Sequence, residues 1–319
     1  MRILVVGAGA LGGYFGGRLL QAGQDVTFLL RPQRAAQIAA NGLVIRSPLG
    51  DAHLRAPATL LAHQIKSTFD LVIVACKAYD LEGTIAAFAP AVGPRTAILP
   101  LLNGLRHLDR LTERFGYAKV LGGLGVISAA LDDAGEVVHL SRDHTLSFGE
   151  LDGARSARVQ AIATAFAAAD FDSRPTDRIL QAMWEKWVHI ATLASATSLM
   201  RASVGDIVQA GAQDVALELL NECGRIAAHN GYPPSPEALG RTRATVTAPG
   251  SLLTASLLKD IESGAPTEGE HILGDFLRRG RWSTSDTVLL PLAYAQLRSY
   301  EARRVRDAAE ASPAHRLAA

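Results

Sequence analysis

The sequence opens with Met1-Arg2-Ile3-Leu4-Val5-Val6-Gly7-Ala8-Gly9-Ala10-Leu11-Gly12, in which an apolar run leads directly into the spacing G-x-G-x-x-G. A continuous apolar run of this length is typical of a strand buried on both faces of a parallel sheet. Residues 10–22 then predict a helix ended by Gly23, and residues 25–30 predict a second buried strand. This succession predicts a Rossmann-like fold whose glycine turn holds a dinucleotide pyrophosphate at a helix N-terminus.

The glycines of this turn have distinct physical roles. Gly7 allows a tight turn, Gly9 lets the backbone approach a pyrophosphate, and Gly12 lets the helix lie close to the strand. A glycine-rich turn that binds no ligand is the alternative, and the flanking strands and helix argue against it. The predicted cofactor-binding residues of the turn are Gly7, Ala8, Gly9, Ala10, Leu11 and Gly12.

The end of the second strand indicates which dinucleotide is bound. An Asp or Glu there would bind the 2′-hydroxyl of NAD and repel a 2′-phosphate, but the sequence reads Leu30-Arg31-Pro32. A charge-assisted hydrogen bond from Arg31 to the phosphate contributes about 1.5–3 kcal/mol, or about a tenfold to hundredfold preference. We therefore predict NADP(H) as the cofactor, with a solvated loop arginine as the alternative.

Polar residues follow two further strands of the first half. Residues 69–76 and 96–102 predict buried strands; Lys77 follows the first of them and Asn103-Gly104 the second. Because ligands of open α/β sheets lie beyond the carboxyl ends of the strands, Lys77 and Asn103 are candidate site residues. An ordinary Asn-Gly turn is the alternative interpretation of Asn103.

The pattern changes from mixed to wholly helical near residue 176. Before that point, residues 135–140 and 144–149 predict an antiparallel hairpin whose turn is the polar segment 141–143. The sequence therefore predicts an α/β protein, with a Rossmann-like domain at 1–176 and an all-helical domain at 177–319. The helices predicted in the second half are 183–200, 204–230, 252–262 and 268–279. Residues 306–319 lack apolar periodicity and are expected to fray.

The composition excludes several classes of function. A chain of 319 residues with a formal net charge of +1 and no long block of like charge gives no basis for binding nucleic acid or a membrane surface. Its two cysteines, Cys76 and Cys223, fit a reducing compartment and supply no metal-ligand pair. Because the first predicted strand starts at Arg2 and no apolar run is long enough to span a bilayer, we expect a cytoplasmic protein without a metal.

Several motifs along the chain are specific in combination, although none of them is specific alone. They are the glycine turn through Gly16, Arg31, Cys76-Lys77-Ala78-Tyr79-Asp80, Asn103-Gly104, Trp184-Glu185-Lys186, Ser256-Leu257-Leu258-Lys259-Asp260 and Thr267-Glu268. This combination resembles the ketopantoate reductases (2-dehydropantoate 2-reductases). The resemblance implies NADPH-dependent reduction of a 2-oxo acid in pantothenate biosynthesis, with both ligands in a cleft between the Rossmann domain and the helical domain.

The resemblance implies that Lys186 is the general acid. Hydride transfer to a ketone carbon leaves an alkoxide, which an ammonium can stabilise and protonate. Burial by Trp184 and Trp187 is expected to lower the pKa of Lys186 toward neutrality. A surface lysine paired with an acid on its own helix is the alternative.

Glu268 resembles the acid that interacts with the substrate and the catalytic lysine. Thr267 and Glu270 also fit a capping box, which would place Glu268 in a first helical turn where the helix dipole favours its ionised form. An acid that only complements the dipole is the alternative for Glu268.

The other site residues are also assigned by resemblance. Ser256 and Asp260, four residues apart on one helix face, match substrate-contacting positions, although Asp260 also fits a solvated helix acid. Asn103 matches an asparagine between nicotinamide and substrate, and Lys77 a lysine that faces the cofactor.

The sequence departs from the family pattern at two predicted substrate positions. Ile190 and Ala194 stand one and two helical turns after the lysine, where asparagines are expected. A polar substrate group left without its partner costs about 1–3 kcal/mol, so a different 2-oxo acid or ketone is an alternative substrate. A catalytically silent NADP(H)-binding sensor is the alternative from another class, and a homodimer through the helical domain is left open.

Overall fold

The structure is a computed structural model that describes residues 1–280 and 287–310. The chain divides into two compact units, Met1–Met183 and Trp184–Ala319. The division falls within the helix Ile179–Met200, shortly after the predicted domain boundary at residue 176.

The first unit is built on a parallel sheet. In chain order its elements are β1 (Arg2–Val6), α1 (Ala10–Gln21), β2 (Asp25–Leu29), α2 (Pro32–Asn41), β3 (Leu43–Arg46), β4 (Ala52–Leu54), β5 (Ala58–Leu60), β6 (Phe69–Val74), α3 (Leu81–Phe88), β7 (Val92–Pro100), α4 (Arg106–Phe115), β8 (Leu121–Leu131), β9 (Val137–Glu150), α5 (Ala157–Phe166), β10 (Asp172–Pro175) and the start of α6 (Ile179–Met200). Five strands pair in parallel in the order β5-β2-β1-β6-β7. This sheet and its helices confirm the predicted Rossmann-like fold.

Strand β1 lies in the middle of the parallel sheet. Its residues Ile3, Leu4 and Val5 are fully buried, and Val5 lies opposite Phe28 of β2 on one side and Ile73 of β6 on the other. A strand buried on both faces needs apolar residues at successive positions, which is why the period of two is absent here. The glycine turn follows β1 directly, so it lies at the carboxyl edge of the sheet, where the parallel strands end.

A second sheet corrects the hairpin prediction. Its order is β10-β9-β3-β4, with β8 antiparallel to β9. Strand β9 runs without a break from Val137 to Glu150, so the predicted turn at 141–143 is wrong. The hairpin turn lies earlier, where Gly135 has φ +77° and donates its N–H to the carbonyl of Asp132. Residues 141–143 are polar because this part of the strand is largely exposed to water.

The second unit is helical, as predicted, but the helix predicted over 204–230 is divided into two and the one predicted over 252–262 begins only at Ser256. In chain order they are the rest of α6, α7 (Val204–Gln209), α8 (Gln213–His229), α9 (Pro236–Val246), α10 (Ser256–Glu262), a π-helical turn (Glu270–Gly274), α11 (Asp275–Gly280) and α12 (Leu289–Glu310). The single helix predicted over 204–230 is wrong, because Gly211 takes a φ of +72° between α7 and α8. Helix α9 was not predicted, and its N-cap is Ser235, which accepts the N–H of Ala238.

The end of the chain differs from the prediction as far as the structure describes it. Helix α12 continues through Glu310, so residues 306–310 are helical, and residues 311–319 lie outside the described residues. None of the helices in the described ranges has the length and apolar character needed to cross a membrane.

A buried carboxylate from α8 caps the N-terminus of α12. Glu222 of α8 is 1% exposed and accepts the backbone N–H groups of Val288, Leu289 and Leu290 at 2.8–2.9 Å. The first N–H groups of a helix have no partner within the helix, so this side chain from another helix satisfies them. Glu222 therefore joins α8 to the start of α12.

Candidate active site

The glycine turn of the first unit has the geometry that its sequence predicts. Gly7 takes a φ of +93°, in the region that favours glycine, and donates its N–H to the carbonyl of Leu29 at 3.0 Å. A Cβ on Gly12 would lie 2.1 Å from the carbonyl oxygen of Gly7. Glycine is therefore required at residue 12 for α1 to lie this close to the strand end.

The N-terminus of α1 is open on the side of Gly9. Apart from Gly9, its chain neighbours and the adjoining helix backbone, no described heavy atom lies within 4 Å of the position that a Cβ on Gly9 would take. Gly9 is the N-cap, and the first turn of α1 contains no acidic residue. Uncapped N–H groups and the positive end of the helix dipole suit the phosphates of a dinucleotide, so the residues present fit this group.

The other predicted cofactor residues lie at the same edge of the sheet. Arg31, Lys77 and Asn103 follow β2, β6 and β7, and the carboxyl ends of parallel neighbouring strands meet at one edge. Lys77 is exposed, whereas Asn103 is half-buried and precedes Gly104, which has a φ of +74°. The parallel sheet thus brings these three residues to the edge where the glycine turn lies.

Arg31 has an acidic partner that the sequence reasoning missed. Its Nη2 lies 2.7 Å from Oδ1 of Asp80, which ends a short 3₁₀ turn (Ala78–Asp80) after β6. The Asp80 carboxylate raises the pKa of Arg31, first through this hydrogen bond and then through its charge. Asp80 belongs to the motif Cys76-Lys77-Ala78-Tyr79-Asp80, but its sequence position gave no sign of the partner.

A second arginine, Arg34 of α2, supports the glycine turn. Its Nε donates to the carbonyl of Ala8 at 3.0 Å, and its Nη1 donates to the carbonyl of Gly135 at 2.8 Å. The turn is therefore held by a side chain that is fixed at the same time to the β8–β9 hairpin. These partners are far from Arg34 in the sequence, so local spacing gives no sign of this role.

In the second unit, Lys186 lies on α6 between two buried tryptophans. Trp184 and Trp187 are 3% and 0% exposed, with ring centroids 5.1 Å apart. The Trp187 Nε1 donates to the carbonyl of Ile272 at 2.9 Å. This bond fixes the segment after Glu268 against the helix that carries Lys186.

The surroundings of Lys186 shift the pKa of its ammonium in two opposite directions. Lys186 is half-buried, and the loss of water around its ammonium lowers its pKa to about 8, while the charge of Glu268 opposes this shift. Glu268 is 8% exposed, and its carbonyl accepts the N–H groups of His271 and Ile272. Lys186 and Glu268 are therefore brought within electrostatic reach of each other.

The predicted capping box at Thr267 is wrong. The backbone N–H and the hydroxyl of Thr267 both donate to Oε1 of Glu301 on α12, at 2.7 and 2.8 Å. Glu270 instead accepts a hydrogen bond from Nη1 of Arg278 at 2.6 Å. The acid comes from a distant helix, and local spacing cannot reveal such a partner.

Helix α10 carries the two other predicted substrate residues. Ser256 and Asp260 lie on this helix one turn apart, Ser256 exposed and Asp260 half-buried. The start of α10 is joined to α6, because Thr197 Oγ1 accepts the N–H of Ala255 at 3.3 Å. Thr197 is three helical turns after Lys186 and lies on the same face of α6.

Ile190 and Ala194 lie along this same face of α6, between Lys186 and Thr197. They follow Lys186 by one and two helical turns; Ile190 is half-buried and Ala194 is 2% exposed. The face between the lysine and Thr197 is thus apolar at both positions.

His189 is a further titratable neighbour of Lys186 that the sequence did not indicate. It follows Lys186 by one turn on α6, and its Nδ1 lies 3.1 Å from Oγ1 of Thr242 on α9. Burial, then the charges of Lys186 and Arg241, lower the pKa of His189. This imidazole is therefore kept neutral beside the lysine.

A glycine turn on a parallel sheet, together with a lysine of lowered pKa beside a carboxylate, is typical of a dinucleotide-dependent oxidoreductase. Two family models match the chain: "Ketopantoate reductase PanE/ApbA" over residues 3–153 and "Ketopantoate reductase PanE/ApbA C terminal" over residues 178–301. The chain belongs to the ketopantoate reductase family, a family of oxidoreductases.

Individual relatives match over nearly the whole chain. An uncharacterized oxidoreductase of Bacillus subtilis, YkpB, is 36% identical and aligns with 95% of this chain and 100% of its own length. A 2-dehydropantoate 2-reductase of Halobacterium salinarum is 30% identical over 88% of this chain and 92% of its own length. The crystal structure of a 2-dehydropantoate 2-reductase from Methylococcus capsulatus has a TM-score of 0.84 at 28% identity, covering 95% of this chain and 98% of that one.

Proposed function

We propose that this protein reduces 2-dehydropantoate (ketopantoate), or a closely related 2-oxo acid, to the 2-hydroxy acid with NADPH. The observation that carries the proposal is the half-buried Lys186, whose pKa is lowered to about 8 beside Glu268. Family membership supports it, as does the name of the Halobacterium salinarum relative. A place in pantothenate biosynthesis, a cytoplasmic location and a homodimer rest on the family resemblance and sequence alone.

A bound NADPH supplies the hydride, and the residues of this chain handle the charge that the transfer creates. The ammonium of Lys186 donates a hydrogen bond to the carbonyl oxygen, and then its proton, as that oxygen becomes an alkoxide. General acid catalysis of this kind contributes about 10²–10⁴-fold to the rate. A pKa of about 8 leaves most of the lysine protonated at neutral pH, and weakens its hold on that proton.

Other residues bind and orient the reactants in this proposal. Glu268 orients the Lys186 ammonium and keeps it protonated. Asn103, Ser256 and Asp260 bind the polar groups of the substrate. The turn from Gly7 to Gly12 holds the pyrophosphate, Arg31 the 2′-phosphate, and Lys77 faces the cofactor.

The apolar face of α6 favours a second candidate, a 2-oxo acid whose side chain lacks the hydroxyl of ketopantoate. Ile190 and Ala194 follow Lys186 on this face, and neither can donate a hydrogen bond. A buried substrate hydroxyl without a partner costs about 1–3 kcal/mol, or about a fivefold to hundredfold loss in kcat/KM. Ketopantoate and 3,3-dimethyl-2-oxobutanoate form a matched pair, because they differ only in that hydroxyl.

The test is the rate of NADPH oxidation with both members of this pair. We expect turnover on at least one, a fall of about 10²-fold or more in Lys186→Ala, and little change in Lys66→Ala, which removes an exposed lysine. A preference for the hydroxyl-free acid that Ile190→Asn reverses would support the second candidate. NADPH binding without turnover on either acid or on other 2-oxo acids would favour the silent sensor.

A further inference from the structure

The ion pair between Arg31 and Asp80 joins two segments at the carboxyl edge of the parallel sheet. Arg31 lies between β2 and α2, and Asp80 lies between β6 and α3. Their side chains meet at 2.7 Å, with the side chain of Arg31 71% exposed and that of Asp80 29% exposed. The guanidinium is therefore open to a ligand, while the carboxylate is partly covered.

Asp80 stands at a helix N-terminus, but its side chain does not cap that helix. It is the N-cap residue of α3, where an Asp side chain ordinarily accepts an N–H from the first turn of the helix. The carboxylate contacts Arg31 instead of these N–H groups. The N–H of Asp80 donates to the carbonyl of Lys77 at 3.0 Å, which fixes the backbone from which the carboxylate reaches Arg31.

We infer that Asp80 competes with the 2′-phosphate of NADPH for Arg31 and so limits the preference of this protein for NADPH over NADH. The inference rests on the proposed binding of NADPH. A 2′-phosphate that binds Arg31 must displace the Asp80 carboxylate, which costs the ion pair, or lie beside it, which brings two negative groups together. NADH carries an uncharged 2′-hydroxyl, so its binding leaves the Arg31–Asp80 pair intact.

The experiment measures dissociation constants for NADPH and NADH by nicotinamide fluorescence, without any substrate. We expect Asp80→Asn to tighten NADPH binding about fivefold to tenfold and to change NADH binding less than about twofold. The matched control is Glu82→Gln, which removes the same charge two residues later. Glu82 is 65% exposed and pairs with a different arginine, Arg110, at 2.6 Å. We expect this control to change neither constant by more than about twofold.

A double-mutant cycle separates competition for Arg31 from a general effect of negative charge. In the Arg31→Gln background, we expect the gain from Asp80→Asn to shrink to about twofold or less. The inference is overturned if NADPH binding is unchanged or weaker in Asp80→Asn, if NADH gains equally, or if the gain is the same in both backgrounds. If the unaltered protein binds neither dinucleotide, the proposed function fails instead.

Discussion

Lys186 illustrates how the surroundings of a single side chain shift its pKa. Burial disfavours the ammonium, whereas the nearby carboxylate of Glu268 favours it, and the balance leaves the pKa at about 8. His189 is a neighbour whose own pKa is lowered, partly by the charge of Lys186, so it adds no second cation at neutral pH. This arrangement makes the proposed acid sensitive to its carboxylate partner.

The first prediction concerns the pH dependence of reduction. The reaction needs the protonated lysine, so kcat/KM is expected to be level below about pH 8 and to fall about tenfold per pH unit above it. Because Glu268 raises the pKa of Lys186, Glu268→Gln is expected to move this break to lower pH. The measurement is kcat/KM for the 2-oxo acid as a function of pH in both proteins.

Glu262→Gln is the control for this pH profile, since Glu262 is an exposed acid at the end of α10. It should leave the break where it is. A break that stays in place in Glu268→Gln would contradict the assigned electrostatic role of that carboxylate.

Site residues could be predicted from the sequence where they belong to local motifs. The glycine turn is recognisable because its spacing and its flanking elements are contiguous, and Lys186 and Glu268 were proposed by family resemblance. Asp80 and Arg34 act through partners that are distant in the chain, at Arg31 and Gly135, so spacing gave no signal for their roles. The catalytic and binding roles of all these residues stay predictions.

At the scale of elements, the sequence predicted four of the five strands of the parallel sheet, but it missed helices α9 and α12 and misplaced two boundaries. Residues 204–230 contain no proline, and their apolar pattern continues across Gly211, so the interruption between α7 and α8 was missed. The polar residues 141–143 resembled a turn because a strand segment exposed to water has the same polar composition as a turn. Both errors arise where tertiary structure decides between two locally similar patterns.

The second prediction concerns the start of α12. Glu222→Ala removes the acceptor of three backbone N–H groups and leaves them without that partner. Loss of this cap and of its charge-assisted bonds is expected to reduce the free energy of unfolding by about 2–4 kcal/mol. Chemical denaturation followed by circular dichroism measures the change.

The control for the α12 cap lies one turn earlier on α8. Glu218 has a side chain that is 45% exposed and pairs with Arg225, so Glu218→Ala should cost less than about 1 kcal/mol. Equal losses in the two variants would show that the carboxylate of Glu222 has no special role in α12. Glu222→Gln keeps one acceptor oxygen, so its loss in the free energy of unfolding should lie between those of the two alanine variants.

At the scale of the whole molecule, the proposed cofactor is linked to stability. A ligand that binds only the folded state, at a concentration of about a hundred times its dissociation constant, adds about 2.7 kcal/mol to the free energy of unfolding. The third prediction is that NADPH raises the Tm by about 5–10 °C, and that NADH at the same concentration raises it less. Thermal unfolding with and without each dinucleotide measures both shifts.

Two glycine variants separate binding from folding in this experiment. Gly9→Ala places its methyl group where the structure is open, so we expect an unchanged ligand-free Tm and a lost NADPH shift. Gly12→Ala meets the Gly7 carbonyl, so its ligand-free Tm should fall. Gly83→Ala on α3, whose methyl group meets no described heavy atom within 4 Å beyond its own stretch of helix, should keep both values. A full NADPH shift in Gly9→Ala would argue against binding at this turn.

The topology of the second sheet has a consequence for synthesis on the ribosome. The parallel sheet is complete once Pro100 has emerged, whereas β3 pairs with β9 at Ile45 and Val137, and β9 pairs in turn with β10. The second sheet therefore cannot be complete before Pro175 is made. Between the emergence of Arg46 and that of Val137, the nascent chain exposes a strand edge that has no β9 to cover it. During that interval the exposed edge of β3 is able to pair with other chains, so the growing protein then needs shielding.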